Sequence, residues 1–199
     1  MGSTNGTDVL DIVLDGGVDV VEHIPLPVFS GREAYNLFKD SDHYTLTAED
    51  KDGLARLVGA KVVMVPTLTP YMLLCDLPEL TVAQKEACYD FYLAPVRYFH
   101  DLGGGVALAN DYGAGGIAFG IPLREMELLL AAGLTPMEVI EASTRRAAWV
   151  CGHGDELGAL TPGKLADIVI VDGDPLTDIA AMGRVVAVIK GGQVVMPAP

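Results

Sequence analysis

The sequence predicts an α/β chain in which parallel strands alternate with helices through the first three-quarters, followed by a small all-β segment. Short β-branched runs at residues 18–21, 62–65 and 106–109 are separated by longer stretches of helical periodicity, the grammar of a parallel sheet or barrel. After Gly152 that periodicity stops, and short apolar runs at 157–160, 168–171 and 185–190 are joined by turn residues. With 199 residues the chain is too short for a closed (β/α)₈ barrel, which takes about 250.

The elements follow in order from local signals. Residues 8–14 form a short helical pattern, and Thr47 stands as N-cap of a second, with Leu54, Leu57 and Val58 as its apolar stripe. Thr81 and Gln84 have capping-box spacing and open a helix running to about Leu102, which the glycines at 103–105 end. Residues 122–132 place Leu123, Met126 and Leu130 on one face. Thr135, Pro136 and Glu138 combine cap, proline and acid into a strong helix start. The expected buried face there is Met137, Ile140, Ala147, Ala148 and Cys151. Gly191-Gly192 reads as a hairpin turn into residues 193–196. The closing β segment has too few strands to stand alone and needs a partner surface.

Half of the residues are hydrophobic and the mean hydropathy is +0.35, so a core is assured. Some faces are expected to pack on something outside this chain. Thirteen basic residues against 27 acidic give a net charge of −14, which excludes a nucleic-acid or anionic-membrane binder. The acids are scattered, as on a solvated surface. Cys75, Cys88 and Cys151 are odd in number and form no CxxC, which speaks against a disulfide framework and a thiolate zinc site. The opening MGSTNGTDVLD has no signal-peptide pattern, and no run approaches membrane-spanning length. The expected location is the cytoplasm.

Two residues stand where parallel α/β folds keep their chemistry. His23 ends the strand GVDVVEHIP, and Asp111 closes VALANDYGAGG, both at C-terminal strand ends. From the residues alone, His23 reads first as a partly exposed histidine bonded to a loop carbonyl. Asp111 reads as a metal-binding base, with Gly113, Gly115 and Gly116 admitting substrate, or as a turn aspartate. His43, His100 and His153 share no ligand spacing, and His100 suits a helix C-terminus. HxH, HExxH, GxSxG and P-loop motifs are absent from the sequence.

The segments LREMELLLAAGLTPMEVIEASTRRAAWVCG, LGALTPGKLADIVIVDGDPLTDI and VVAVIKGGQVV resemble the amidohydrolase superfamily, in its imidazolonepropionase-like and prolidase-like members. The resemblance implies a partial (β/α)₈ TIM barrel holding about strands six to eight at residues 1–151, and part of a β-sandwich at 152–199. It makes VDVVEH strand six with His23 a metal ligand, VVMVPTLTP strand seven, and VALANDYG strand eight. Asp111 then becomes both metal ligand and proton shuttle, and Ala109-Asn110 replace the family's usual glycine-threonine. The implied cofactor is a divalent metal, zinc by preference. The implied reaction is hydrolysis of an amide or other C–N bond in a small molecule. Tyr71, after strand seven, and residues 24–44 would shape the substrate site at the barrel mouth.

The family's HxH pair, its strand-four lysine or acid and its strand-five histidine have no counterpart in this sequence. The last of these would fall near residues 1–5, where no histidine occurs. A catalytic zinc normally has three protein ligands plus water. The expected partners are therefore an N-terminal half or further copies of the chain. The alternative is an inactive fragment acting as a binding or assembly module.

Overall fold

A computed structural model describes residues 9–24, 44–113 and 116–196. Strands β1 (Val20–Glu22), β2 (Val63–Val65) and β3 (Gly105–Val106) form a parallel sheet in that order. Val21 pairs with Met64, and Met64 with Val106. Parallel neighbours require a crossover, and helices supply both: α2 (Ala48–Gly59) joins β1 to β2, while α3 (Thr69–Cys75) and α4 (Val82–Asp101) join β2 to β3. β3 is shorter than the apolar run at 106–109. Its ladder stops because Leu108 donates its N–H to Ala142 O, in a helical segment, instead of to a strand.

The caps fall where the sequence places them. Thr47, Thr81 and Thr135 each close a capping box, with Asp50, Gln84 and Glu138 respectively. Each box satisfies N–H donors that have no partner inside the helix. In α2 the fully buried stripe is Leu54 and Leu57, and the core continues through Met64, Leu68, Phe91, Tyr92, Val96 and Phe99. Gly103, at φ 86°, turns the chain off α4.

Four expectations need correction. Cys75 and Cys88 form a disulfide between α3 and α4, both side chains fully buried. A single staple of this kind is not a framework, and widely spaced cysteines carry no sequence sign of it. Secondly, α5 (Leu123–Ala131) buries Glu125, Met126, Leu128 and Leu129, a face rotated from the one expected, with a carboxylate in its middle.

Thirdly, the helix from Thr135 is interrupted: α6 (Pro136–Glu141) passes through a π-helical turn, Ala142–Arg146, into α7 (Ala147–Val150). The hydroxyls of Ser143 and Thr144 both donate to Ile140 O, at 3.0 and 2.6 Å, drawing that carbonyl away from the regular helical ladder. The inserted turn changes which side faces inward. Val139 and Ala142 are buried, while Met137 is 50% exposed and Cys151 lies at the surface. Fourthly, residues 157–160 form no strand. The Lys164 ammonium donates to Gly154 O and Leu157 O and gathers that segment into turns.

The C-terminal sheet is antiparallel, in the order β4 (Ile168–Val171), β5 (Val185–Lys190), β6 (Gln193–Met196). Its β5–β6 hairpin turns at Gly191 and Gly192, whose φ values of 56° and 81° suit a two-residue turn that needs left-handed backbone at both positions. A 3₁₀ turn, Ile179–Gly183, places buried Ile179 and Ala181 beside α5. Among the described residues, no helix is long and apolar enough to cross a membrane. Residues 1–8, including Asp8 of the first expected helix, lie outside the described residues; α1 (Val9–Asp15) accounts for the rest.

Two stability predictions follow from these contacts. The backbone N–H and hydroxyl of Thr135, and then the His100 ring, hold the Glu138 carboxylate down from its ordinary 4.5 to about 2. A depressed folded-state value stabilises above the unfolded value and is lost as pH falls. Urea unfolding should therefore lose stability between pH 4.5 and about 2, and E138Q should flatten that segment of the profile. The pair is partly exposed, so the effect is screened and small. Reducing the Cys75–Cys88 bond, or the double replacement C75S/C88S, should cost about 3 kcal/mol by the entropy of the closed loop, read as a drop in the urea midpoint.

Candidate active site

Each strand of the parallel sheet leads to a residue forced into left-handed backbone. These are His23 after β1 (φ 63°), Thr67 after β2 (φ 51°) and Asp111 beyond β3 (φ 45°). For residues with a Cβ this costs on the order of 1 kcal/mol each. Such conformations persist where surrounding contacts over-determine them. At His23 the determinant is a backbone bond, His23 N–H to Val65 O at 2.7 Å, which extends the β1–β2 ladder up to the turn. Thr67 is buried, and its hydroxyl leans on Val65 O at 3.4 Å.

The two strand-end candidates come together. His23 Nε2 lies 4.0 Å from Asp111 Oδ2, with both side chains half exposed. That is too long for a hydrogen bond. The opposite ring nitrogen, Nδ1, is buried with no hydrogen-bond partner among the described residues, so the reading of His23 as a histidine tied to a loop carbonyl is not what the structure displays. Tyr71, on α3, sets its ring edge-on to His23 at 5.9 Å and stacks on Tyr92 at 4.8 Å. Burial, and then the Asp111 charge, raise the Tyr71 hydroxyl above its ordinary value. The phenol therefore stays protonated through neutral pH.

A divalent cation meets suitable donors here, an imidazole whose Nε2 faces Asp111 and a carboxylate. The set is nevertheless two residues. Among the described residues, no group of three or more His, Cys, Asp or Glu could hold a metal ion. His100 is engaged with Glu138 at 3.1 Å, and His153 with Glu156 at 3.1 Å. His43, residues 1–5 and the segment 25–43 fall outside the described residues.

Gly113 and Gly116 have φ of 94° and 83°, with open space where a Cβ would stand. Their positive φ is a turn conformation that glycine adopts without strain, and Gly115 is outside the described residues. Two residues of this region were not singled out by sequence, Thr67 and Glu125. The available signal for Glu125 was a carboxylate three and four positions before the buried Leu128 and Leu129, on the apolar stripe of its helix.

A cleft of about 830 Å³ is walled by the segment after β3, by α5 and α6 with its π-helical turn, and by β4. Its walls include Leu108, Asn110, Ile140, Val169, Val171 and Met182. His23, Asp111 and Tyr71 are not among its described walls, but Asn110 and Tyr112, the neighbours of Asp111, are. Asn110 is buried, and its Oδ1 has no hydrogen-bond partner among the described residues.

Known proteins bear on these observations. The model of the amidohydrolase family matches residues 90–195. Imidazolonepropionase of Streptococcus pyogenes serotype M2 is 32% identical over 167 residues, covering 81% of this chain and 32% of that protein. The chain thus spans only 32% of the length of this curated relative. Among solved structures, a Xaa-Pro dipeptidase with methionine bound in its active site superposes with a TM-score of 0.66 at 21% identity, covering 93% of this chain and 41% of that one. A. niger ochratoxinase gives 0.68 at 20% identity, covering 96% and 39%. At those identities the structural likeness speaks for the fold.

Because the Asp111 charge contributes to raising the Tyr71 hydroxyl, D111N should lower the Tyr71 ionisation. It should remain above an ordinary phenol, since burial is the larger cause. Phenolate absorbance titrations, with a Y71F chain subtracted, read the shift; an unchanged curve would mean that the two groups do not sense each other.

Proposed function

The chain belongs to the amidohydrolase family, and on that premise we propose that it carries part of the site of a metal-dependent hydrolase of amide or other C–N bonds in small molecules. The observation that carries this reading is the convergence of His23, directly after β1, and Asp111, in the segment beyond β3, with Nε2 and Oδ2 4.0 Å apart. His23 and Asp111 would hold a divalent cation, zinc by donor type, which supplies charge stabilisation for the scissile carbonyl and a more acidic water.

The chain's own residues have definable parts. The Asp111 carboxylate accepts the proton of the attacking water and later returns it to the departing amine, so no net proton is left on the protein. The protonated Tyr71 hydroxyl donates to a carbonyl oxygen of the substrate. Its stack on Tyr92 restricts the ring, so little freedom is lost when substrate binds.

The remaining ligands are assigned to polypeptide outside this chain: an N-terminal half, or further copies. Apolar side chains left open to solvent support that reading. Leu160 is 82% exposed, Val194 61% and Val195 59%, and the cleft walled by Leu108, Ile140 and Val169 is more apolar than a solvated surface needs to be. In this reading residues 1–151 are the barrel portion and 152–199 the sandwich portion.

Zinc affinity of the chain, compared with H23A and D111N, tests the assignment. Each replacement should weaken binding by on the order of 100-fold, at or beyond the loss from removing an outer-shell partner. D111N should also abolish hydrolysis in any assembly where the unsubstituted chain is active. Equal zinc affinity in all three chains would sink the site.

A further inference from the structure

Glu125 is fully buried, and an isolated carboxylate in such a place is costly. Its surroundings explain why it is tolerated. Oε1 accepts the Leu68 N–H at 2.7 Å, and Oε2 accepts both the Thr69 N–H at 2.7 Å and the Thr69 hydroxyl at 2.6 Å. Burial still outweighs these bonds and leaves the carboxyl raised from its ordinary value.

The donors sit at a particular place. Leu68 is the N-cap of α3 and makes no side-chain cap bond of its own. A serine or aspartate at that position would satisfy the same donors locally. Here the acceptor comes instead from α5, 57 residues further along the chain. The turn it grips joins the left-handed Thr67 to α3, and α3 carries Tyr71 against His23. A cap made in trans fixes where the turn stands relative to the rest of the protein, which a local cap does not do.

We propose that Glu125 is a positioning residue for the strand-end site. Its carboxylate clamps the turn after β2, holding Thr67 in strained backbone beyond the central strand and setting the Tyr71 ring against His23. The statement rests on the preceding reading only in calling that place a site. The clamp itself is a matter of geometry.

E125Q tests it in the intact chain. Glutamine keeps the volume, but its amide N–H₂ must face at least one backbone N–H donor, which then loses its acceptor. Hydrogen-exchange protection at Leu68 or Thr69 should fall by at least about tenfold, as expected when a charge-assisted bond is removed. The NMR cross-peak between the Tyr71 and His23 rings should weaken or vanish. V139A is the control: Val139 is equally buried, on α6, and should lower the melting temperature while leaving both signals in place. Should E125Q not fold, Thr69→Val removes only the hydroxyl donor and should shift the Tyr71 resonances without unfolding the chain. The proposal is overturned if E125Q, or T69V in its stead, leaves Tyr71 unmoved, or if V139A moves it as much. None of these measurements needs metal or turnover, so failure of the metal reading and failure of the clamp are told apart.

Discussion

Parallel pairing of β2 with strands on both sides is the constraint on which the rest depends. A parallel strand receives its neighbours only through crossovers, so α2, α3 and α4 are obliged to pack over the sheet and bury its faces. Met64 and Val106 are therefore inaccessible, and Leu54, Leu57, Phe91 and Phe99 close over them. The same constraint aims all strand ends in one direction. His23, Thr67 and Asp111 consequently arrive at one edge of the protein although the sequence separates them widely.

Strain and clamping at that edge belong together. Left-handed backbone at three non-glycine residues turns the chain sharply off each strand and leaves side chains at the mouth. Its cost is met by contacts further in: the β1–β2 ladder carried on to His23, and the carboxylate of Glu125 on the turn after Thr67. The aromatic stack of Tyr71 on Tyr92 and the Cys75–Cys88 bond tie α3 to α4 from the other side. The site thus stands on rigid elements, with two residues of metal-ligand chemistry, His23 and Asp111, among those described.

The free side of β3 is managed differently. Ala142 O accepts the Leu108 N–H, and the Arg146 guanidinium donates to Val106 O at 3.3 Å. The π-helical turn therefore covers an edge that would otherwise offer itself to another strand. Addition of a further strand there would have to exchange these two bonds. The cleft beside the same turn is not covered in this way.

Local signals carried much of this outcome. The threonine caps, the leucine stripe of α2, the β-branched runs of β1 and β2, and the glycine pair of the last hairpin each act within a few residues, and each appears where the sequence places it. His23 follows β1 directly, as the sequence places it, whereas β3 stops at Val106 and leaves Asp111 in the segment beyond it. Tertiary structure alone decided what depends on distant partners. Cys75 meets Cys88 only once α3 lies on α4, and residues 157–160 are coiled by Lys164 rather than paired. Glu125 satisfies two amides and a hydroxyl that no neighbour in sequence reaches. Periodicity records which side of an element is apolar; what that side meets, and which buried polar atom needs an acceptor, is set by packing between segments that the sequence keeps far apart.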